Sequence, residues 1–131
     1  MLRFSKKSDY GLIALKHIVA NSKNSVVNAR EISEKYNLPP DLLAKILQSL
    51  SKSGIIKSQF GSGGGYRMAK KPSEVTLKDI IQSIDGPVHL VGCSRGDSDC
   101  SIEPQCTIKK MLLSVEQKLE SFFSTITLKD I

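Results

Sequence analysis

Residues 28–71 read NAREISEKYNLPPDLLAKILQSLSKSGIIKSQFGSGGGYRMAKK, and this stretch decides the fold. Asn28 followed by Glu31 has the spacing of a capping box, which opens a short helix through residues 28–37. Asn37-Leu38-Pro39-Pro40 then breaks the helical pattern, because proline lacks an N–H and pushes the residue before it out of the α region. The next helix begins near Pro40 or Asp41 and carries Leu42, Leu43, Ile46, Leu47 and Leu50 on its apolar side, with Gly54 as its stop. A short helix, a tight break and a second helix with polar outward positions is helix-turn-helix organisation. Ile55–Phe60 and Tyr66–Lys70 are β-prone runs joined by Gly61-Ser62-Gly63-Gly64-Gly65, a hairpin lined by Lys57, Arg67, Lys70 and Lys71. Directly after a helix-turn-helix, such a hairpin is a wing. A nucleotide-cradling loop would need a helix after the glycines, usually opened by Lys and then Ser or Thr, and here a strand follows.

Outward from this centre, SDYGLIALKHIVAN spaces Leu12, Leu15, Ile18 and Val19 as a helix from Ser8 to about Asn21. Ser8 or Asp9 is its expected cap, and Gly11 is expected to weaken it slightly. Ser25-Val26-Val27 is expected as a short strand against the wing. Past the wing, Thr76 caps a short helix that ends at Gly86-Pro87, and a Gly-, Ser- and Asp-rich loop spans about Gly92 to Gln105. A long helix follows from about Cys106 to Thr125, striped by Ile108, Met111, Leu112, Val115, Leu119, Phe122 and Phe123. That stripe is broad for a terminal helix with little chain left to cover it, so it is read as a dimer seam; packing on its own domain is the alternative. The fold expected is mainly α with a small β-hairpin, a winged helix-turn-helix plus a long C-terminal dimerisation helix. Its regions are 1–72 for DNA binding, 73–105 for a connecting helix and cysteine loop, and 106–131 for the dimerisation helix and tail.

A length of 131 residues with 40% apolar content suits one domain with an oligomerisation arm. Aromatics are 5% and Trp is absent, so the core must be built from Ile, Leu, Val and Ala. The net charge of +6 is unevenly divided: residues 1–72 hold 13 Lys and Arg against 4 acids, and residues 73–131 hold 6 against 9. A basic first half points to a polyanion, nucleic acid above all, with a lysine-rich solvated surface as the alternative. No apolar run approaches the ~18–20 residues that cross a bilayer, and MLRFSKKSDYG has no secretory core, so a cytoplasmic protein without a membrane partner is expected. A Ser/His/Asp set, a carboxylate pair in a plausible cleft and a nucleotide loop are all missing, so an enzyme is not expected.

Cys93, Cys100 and Cys106 are the only cysteines, and all fall in one segment, VGCSRGDSDCSIEPQC. An odd number in a chain of this kind argues against a disulfide framework, and zinc sites use closer pairs. The wider spacing suits an iron–sulfur cluster first, redox thiols second, zinc third and inert buried cysteines last.

Ser8-Asp9-Tyr10-Gly11, Gly61-Ser62-Gly63-Gly64-Gly65-Tyr66 and the three cysteines before a long helix resemble the Rrf-two family of bacterial transcription regulators, over essentially the whole chain. Met1-Leu2-Arg3-Phe4-Ser5-Lys6, Asp85-Gly86-Pro87-Val88 with Cys93-Ser94, and Ile126-Thr127-Leu128-Lys129-Asp130 resemble its iron–sulfur-sensing members, in particular regulators of the SUF cluster-assembly system. The resemblance implies a homodimer whose long helices cross, two helix-turn-helix units on a palindromic operator in double-stranded DNA, and one cluster per subunit on Cys93, Cys100 and Cys106. In the iron–sulfur cluster regulator branch a His three residues after the last cysteine is the fourth ligand; here that position is Lys109, a poor ligand while protonated. His17 and His89 are the only histidines. In the nitric-oxide-sensitive branch an Asp before Tyr-Gly serves across the dimer, and Asp9 stands there, so Asp9 is the expected ligand and a 4Fe–4S cluster is favoured over 2Fe–2S. Pro40, Asp41, Lys45 and Gln48 are expected at the major groove, Ser62, Gly63 and Arg67 in the wing, and Ser5, Lys6, Lys7 and Lys52 on phosphates, each with a solvated-surface alternative. Ala44 replaces a discriminating Glu of the iron–sulfur cluster regulator branch, and Phe60 replaces an Arg in its wing, so a different operator is expected. The function implied is a cluster-controlled repressor. The alternatives are a nitric-oxide-sensing repressor and a thiol- or metabolite-responsive regulator without a cluster.

Overall fold

The computed structural model describes residues 2–21, 26–95 and 100–131, running α1 (Lys6–Asn21), α2 (Ala29–Tyr36), α3 (Pro40–Lys52), β1 (Ile56–Gln59), β2 (Gly65–Met68), α4 (Leu77–Asp85) and α5 (Lys109–Phe123). Short 3-10 turns lie at Pro72–Glu74, Gly92–Arg95, Glu103–Gln105 and Leu128–Asp130. The expected class holds: a mainly helical winged helix-turn-helix followed by a long helix.

The helix-turn-helix is built by local hydrogen bonds. Asn28 caps α2 by accepting from the Glu31 N–H at 2.8 Å. Asn37 closes α2 in the left-handed region (φ 54), the Leu38 N–H reaches the Ser33 carbonyl at 3.0 Å, and the Ser33 hydroxyl donates to the Leu38 carbonyl at 2.7 Å. Leu38 is thereby buried, and the extended Pro39 places Pro40 at the first turn of α3, where its missing N–H costs nothing. Leu43, Ile46, Leu47 and Leu50 of α3 pack into one core with Ala14, Leu15 and Ile18 of α1, Ile32 of α2, Ile55 and Ile56 of the hairpin and Ile80 of α4. Gly11, expected only to weaken α1, is there for packing: a Cβ on it would lie 2.3 Å from the Ile84 Cδ1, so its absence lets α4 close on α1.

The wing is a two-stranded antiparallel hairpin with Ile56 opposite Met68, Lys57 opposite Arg67, Ser58 opposite Tyr66 and Gln59 opposite Gly65. The expected pairing of the Val26-Val27 region is present as a bridge, with Val27 N–H to Tyr66 O at 2.9 Å and Tyr66 N–H to Val27 O at 2.7 Å; Ser25 lies outside the described residues. Thr76 caps α4 by accepting from the Asp79 N–H at 3.0 Å, and Gly86 ends it, as expected.

Three boundaries differ from the expectation. α1 starts two residues early because its cap is Ser5, whose Oγ accepts from the Ser8 N–H at 3.0 Å; Ser8 and Asp9 are inside the helix. α5 starts at Lys109 because Ile108 offers no capping side chain, and it stops at Phe123. Beyond it, the Ser124 and Thr125 hydroxyls donate to the Glu120 and Phe122 carbonyls at 2.9 and 2.6 Å. After α5 the chain returns to the core formed by the earlier helices. Thr127 bridges Thr76, the Leu128 N–H donates to Val75 O at 2.8 Å, and Leu128 is buried in the core. The backbone N–H and hydroxyl of Thr127 hold the Asp130 carboxyl below the usual carboxylate range, fixing that last turn.

Candidate nucleic-acid interface and cysteine segment

α3 divides cleanly along its length. Its buried side holds the four core residues, and Asp41, Lys45, Gln48 and Lys52, spaced four, three and four apart, stand exposed on the other side. Pro40 is exposed at the helix start and Ala44 is half-buried. Asp41, in the first turn, sits where the helix dipole favours an anion, and Lys45 and Lys52 carry the positive charge of this face further along. From Leu42 to Ser73 there is no acidic residue at all, while Lys45, Lys52, Lys57, Arg67, Lys70 and Lys71 all fall inside that stretch and are exposed. The hairpin adds Lys57 and Arg67 as cross-strand partners, and Ser62 and Gly63 are exposed at its tip. The major-groove and wing residues expected from the sequence therefore lie on solvent-facing parts of α3 and the wing.

Lys6 and Lys7 are exposed at the start of α1. Ser5 is committed elsewhere: besides capping α1, its hydroxyl donates to the Asp85 carboxylate, which also accepts from the Ser8 hydroxyl at 2.6 Å. Sequence patterning missed this tie because Asp85 is 80 residues away.

None of the three cysteines is in a disulfide; Cys93 and Cys106 are half-buried and Cys100 is exposed. Asp9 is half-buried on the first turn of α1, in a recess of about 330 Å³ lined by Arg3, Phe4, Ser5 and Lys6, with no cysteine in its wall. Among the described residues no group of three His, Cys, Asp or Glu side chains stands close enough to hold a metal ion. Three thiols and a carboxylate have the donor chemistry of an iron–sulfur site, although among the described residues they do not stand together. His17 is not available to such a site. It is 6% exposed, with Nε2 at 2.7 Å from Glu31 Oε2 and Nδ1 at 3.0 Å from the Tyr36 hydroxyl, which ties α1 to both ends of α2. Glu31 thus spends its carboxylate on His17, and the capping box is only half formed.

Glu116 is the one buried residue of α5, at 8% exposure. Its Oε1 accepts from the Leu90 N–H and from the Val91 N–H at 3.4 Å, and its Oε2 is 3.9 Å from His89 Nδ1. A carboxylate on the long helix therefore grips the backbone just before Cys93. The sequence signal for it, an acid inside an apolar stripe, is weak. On the same helix Met111, Val115 and Phe122 are exposed, as is Ile108 at its start, with Met111 at 56% and Phe122 at 59%. Leu119 and Phe123 instead line a groove of about 620 Å³ with Leu2, Phe4, Val88 and Leu90. Among the described residues no helix is long and apolar enough to cross a membrane.

This architecture is shared with known proteins. The Rrf2 profile (the Rrf-two family above), described as "Iron-dependent Transcriptional regulator", matches residues 4–131. A protein of Aquifex aeolicus named as an HTH-type transcriptional regulator is 30% identical over 130 residues, spanning 98% of this chain and 90% of its own. The HTH-type transcriptional regulator NsrR of Bacillus licheniformis is 26% identical over 131 residues, spanning 99% and 92%. Among solved structures, IscR of T. potens aligns with a TM-score of 0.74 at 27% identity over 98% of this chain and 85% of that one. CymR of B. subtilis, described as a global cysteine regulator, aligns with a TM-score of 0.77 at 24% identity over 99% and 95%, a likeness of fold alone. With the profile matched over nearly its whole length, the chain belongs to the Rrf2 family of transcriptional regulators.

Proposed function

We propose that the protein is a DNA-binding repressor that acts as a homodimer on a palindromic operator and is switched by an iron–sulfur cluster. The observation that carries the DNA part is the polar, exposed face of α3, which after Asp41 runs into the acid-free stretch Leu42–Ser73. Asp41, Lys45 and Gln48 present groups that pair with base edges in the major groove, beside Pro40 at the helix start. Ser62, Gly63 and Arg67 of the wing, with Lys6, Lys7 and Lys52, take phosphates or the neighbouring groove, and Ser5 holds the helix that carries Lys6 and Lys7.

Dimerisation is supported by the exposed apolar face of α5. Cys93, Cys100 and Cys106 would hold the cluster, with Asp9 of the partner subunit completing the set, and a 4Fe–4S form is favoured over 2Fe–2S. When bound, the cluster supplies a group sensitive to iron supply, oxygen or nitric oxide. The chain's own part is positional: half-sites lie about 34 Å apart, so a few ångströms of shift between two α3 helices misaligns one of them. A coupling of ~1–3 kcal/mol changes DNA affinity roughly 5- to 150-fold. A second reading, a thiol-responsive regulator without a cluster, is favoured by the exposure of the Cys100 side chain.

Anaerobically purified protein should select a dyad sequence from genomic fragments and show visible absorption with bound iron and sulfide. Iron chelation should change its operator affinity. Colourless protein whose DNA affinity responds to a thiol oxidant supports the second reading, and no selected sequence removes both.

A further inference from the structure

Phe60 is 92% exposed, more than any other large apolar side chain among the described residues. It ends the first limb of the wing, and the chain around it offers no apolar company: Gln59, Gly61, Ser62 and Gly63 are all exposed. Protein-binding surfaces are built from contiguous apolar patches, and an isolated ring does not make one. The ring stands instead within the acid-free basic stretch, between Lys57 and Arg67. Cations so placed call for a polyanion, and the parts of a nucleic acid that reward an aromatic ring are base faces and sugars.

The wing is also shaped for a narrow space. Its tip, Gly61-Ser62-Gly63-Gly64, carries one side chain, and the turn is closed by the Gly64 N–H on Gly61 O at 3.0 Å. Open space surrounds Gly61 and Gly63, at φ +101° and +79°, so nothing described in the chain itself fills the flanks of the tip. Val27 ties the second strand to the domain at Tyr66, two positions from the last glycine of the tip. With α3 in a major groove, a hairpin that leaves the end of α3 reaches the adjoining minor groove, about 6 Å wide.

We propose that Phe60 is a specificity-determining wedge of the wing, which inserts at a base step in the minor groove and selects operators with a deformable pyrimidine–purine step there. This rests on the DNA-binding reading above. TA and CA/TG steps unstack easily and accept apolar wedges, whereas stiff A-tracts attract cationic side chains. Phe60 would read deformability where an Arg would read the negative potential of a narrow groove.

The test uses the full chain and a random 40-base-pair duplex library, selected in parallel by wild type, Phe60→Ala and Phe60→Arg. Phe60 supports no packing, so the variants should melt as wild type does. Wild type should enrich a dyad flanked by TA or CA/TG steps at symmetric positions. Phe60→Ala should keep the dyad core and lose the flanking steps, with affinity for the wild-type site down about tenfold. Phe60→Arg should shift the flanks toward A-tracts. A 2-aminopurine at the flanking step should brighten on binding wild type and stay dark with Phe60→Ala. Identical flanks for wild type and Phe60→Ala would overturn the wedge while leaving DNA binding intact. No enrichment by wild type would overturn the DNA-binding reading and the wedge together.

Discussion

Replacing Gly65 by Ala tests whether the wing is held by the Val27–Tyr66 pair. A Cβ at position 65 would lie 2.6 Å from the Val27 carbonyl oxygen, 2.7 Å from its carbon and 3.0 Å from the Asn28 nitrogen. All three are backbone atoms, and they cannot step aside: Val27 is buried in the core and Asn28 caps α2. The wing must therefore move, and the bonds at 2.9 and 2.7 Å between Val27 and Tyr66 are what it gives up. Two such bonds are worth ~1–3 kcal/mol together, and the stiffer unfolded chain of an Ala variant returns ~0.4–1 kcal/mol. A net loss of ~1–2 kcal/mol should lower the melting temperature by roughly 3–10 °C. Amide exchange at Val27 and Tyr66 should accelerate in step, and operator affinity should fall because the wing no longer holds its place beside α3. Gly92→Ala is the control, since nothing lies within 4 Å of a Cβ there and its φ is not positive, so it should melt as wild type does. A Gly65→Ala protein with wild-type melting and unchanged protection at Val27 and Tyr66 would refute the account of how the wing is anchored.

Two further outcomes follow from α5. Val115→Glu combined with Phe122→Glu places charge on side chains that are exposed in the single chain, so circular dichroism should match wild type while sedimentation shows a monomer with weak operator binding; a persisting dimer would move the interface off this face. Glu116→Leu removes the acceptor of the Leu90 and Val91 amides, and at ~1–3 kcal/mol for the lost partner their exchange should speed up roughly 5- to 150-fold, with Cys93 alkylated faster and Glu116→Gln in between; exchange rates equal to wild type would show that the grip on this segment lies elsewhere.

What the sequence made legible were the features whose cause is local. Asn28, Thr76, Asn37 and the two prolines each fix a helix end through atoms a few residues away, so spacing alone located them. The Val27 pairing was legible too, because a β-branched run beside a hairpin has few other partners. The start of α1 was not, since Ser5 is held in place partly by Asp85 across the fold. The tail was assigned with the dimerisation helix, and its return to the core depends on Val75 and Thr76 offering a free edge that no periodicity reveals. For the site, the exposed face of α3 followed directly from its apolar repeat. The proposed grouping of Cys93, Cys100, Cys106 and Asp9 does not follow from spacing, and among the described residues of one chain they do not stand together.

The two ties that sequence reading missed make the cysteine segment consequential. Asp85, at the end of α4, accepts from the Ser5 and Ser8 hydroxyls at the start of α1, and only a short run of chain separates it from Leu90, Val91 and then Cys93. Glu116 fixes Leu90 and Val91 to the middle of α5. The chain that leads to Cys93 is therefore pinned to α1 on one side and to the long helix on the other, and α5 itself begins only at Lys109, after Cys106. On the function proposed above, a change at Cys93 would act on chain held between these two ties. α1 packs directly on α3, and α5 carries the exposed apolar face, so the two ties lead to the two elements on which the proposed function rests. Glu116→Leu, which loosens one tie and leaves the three cysteines in place, should therefore weaken any response of operator binding to a thiol oxidant, and an unchanged response would show that this tie does not carry it.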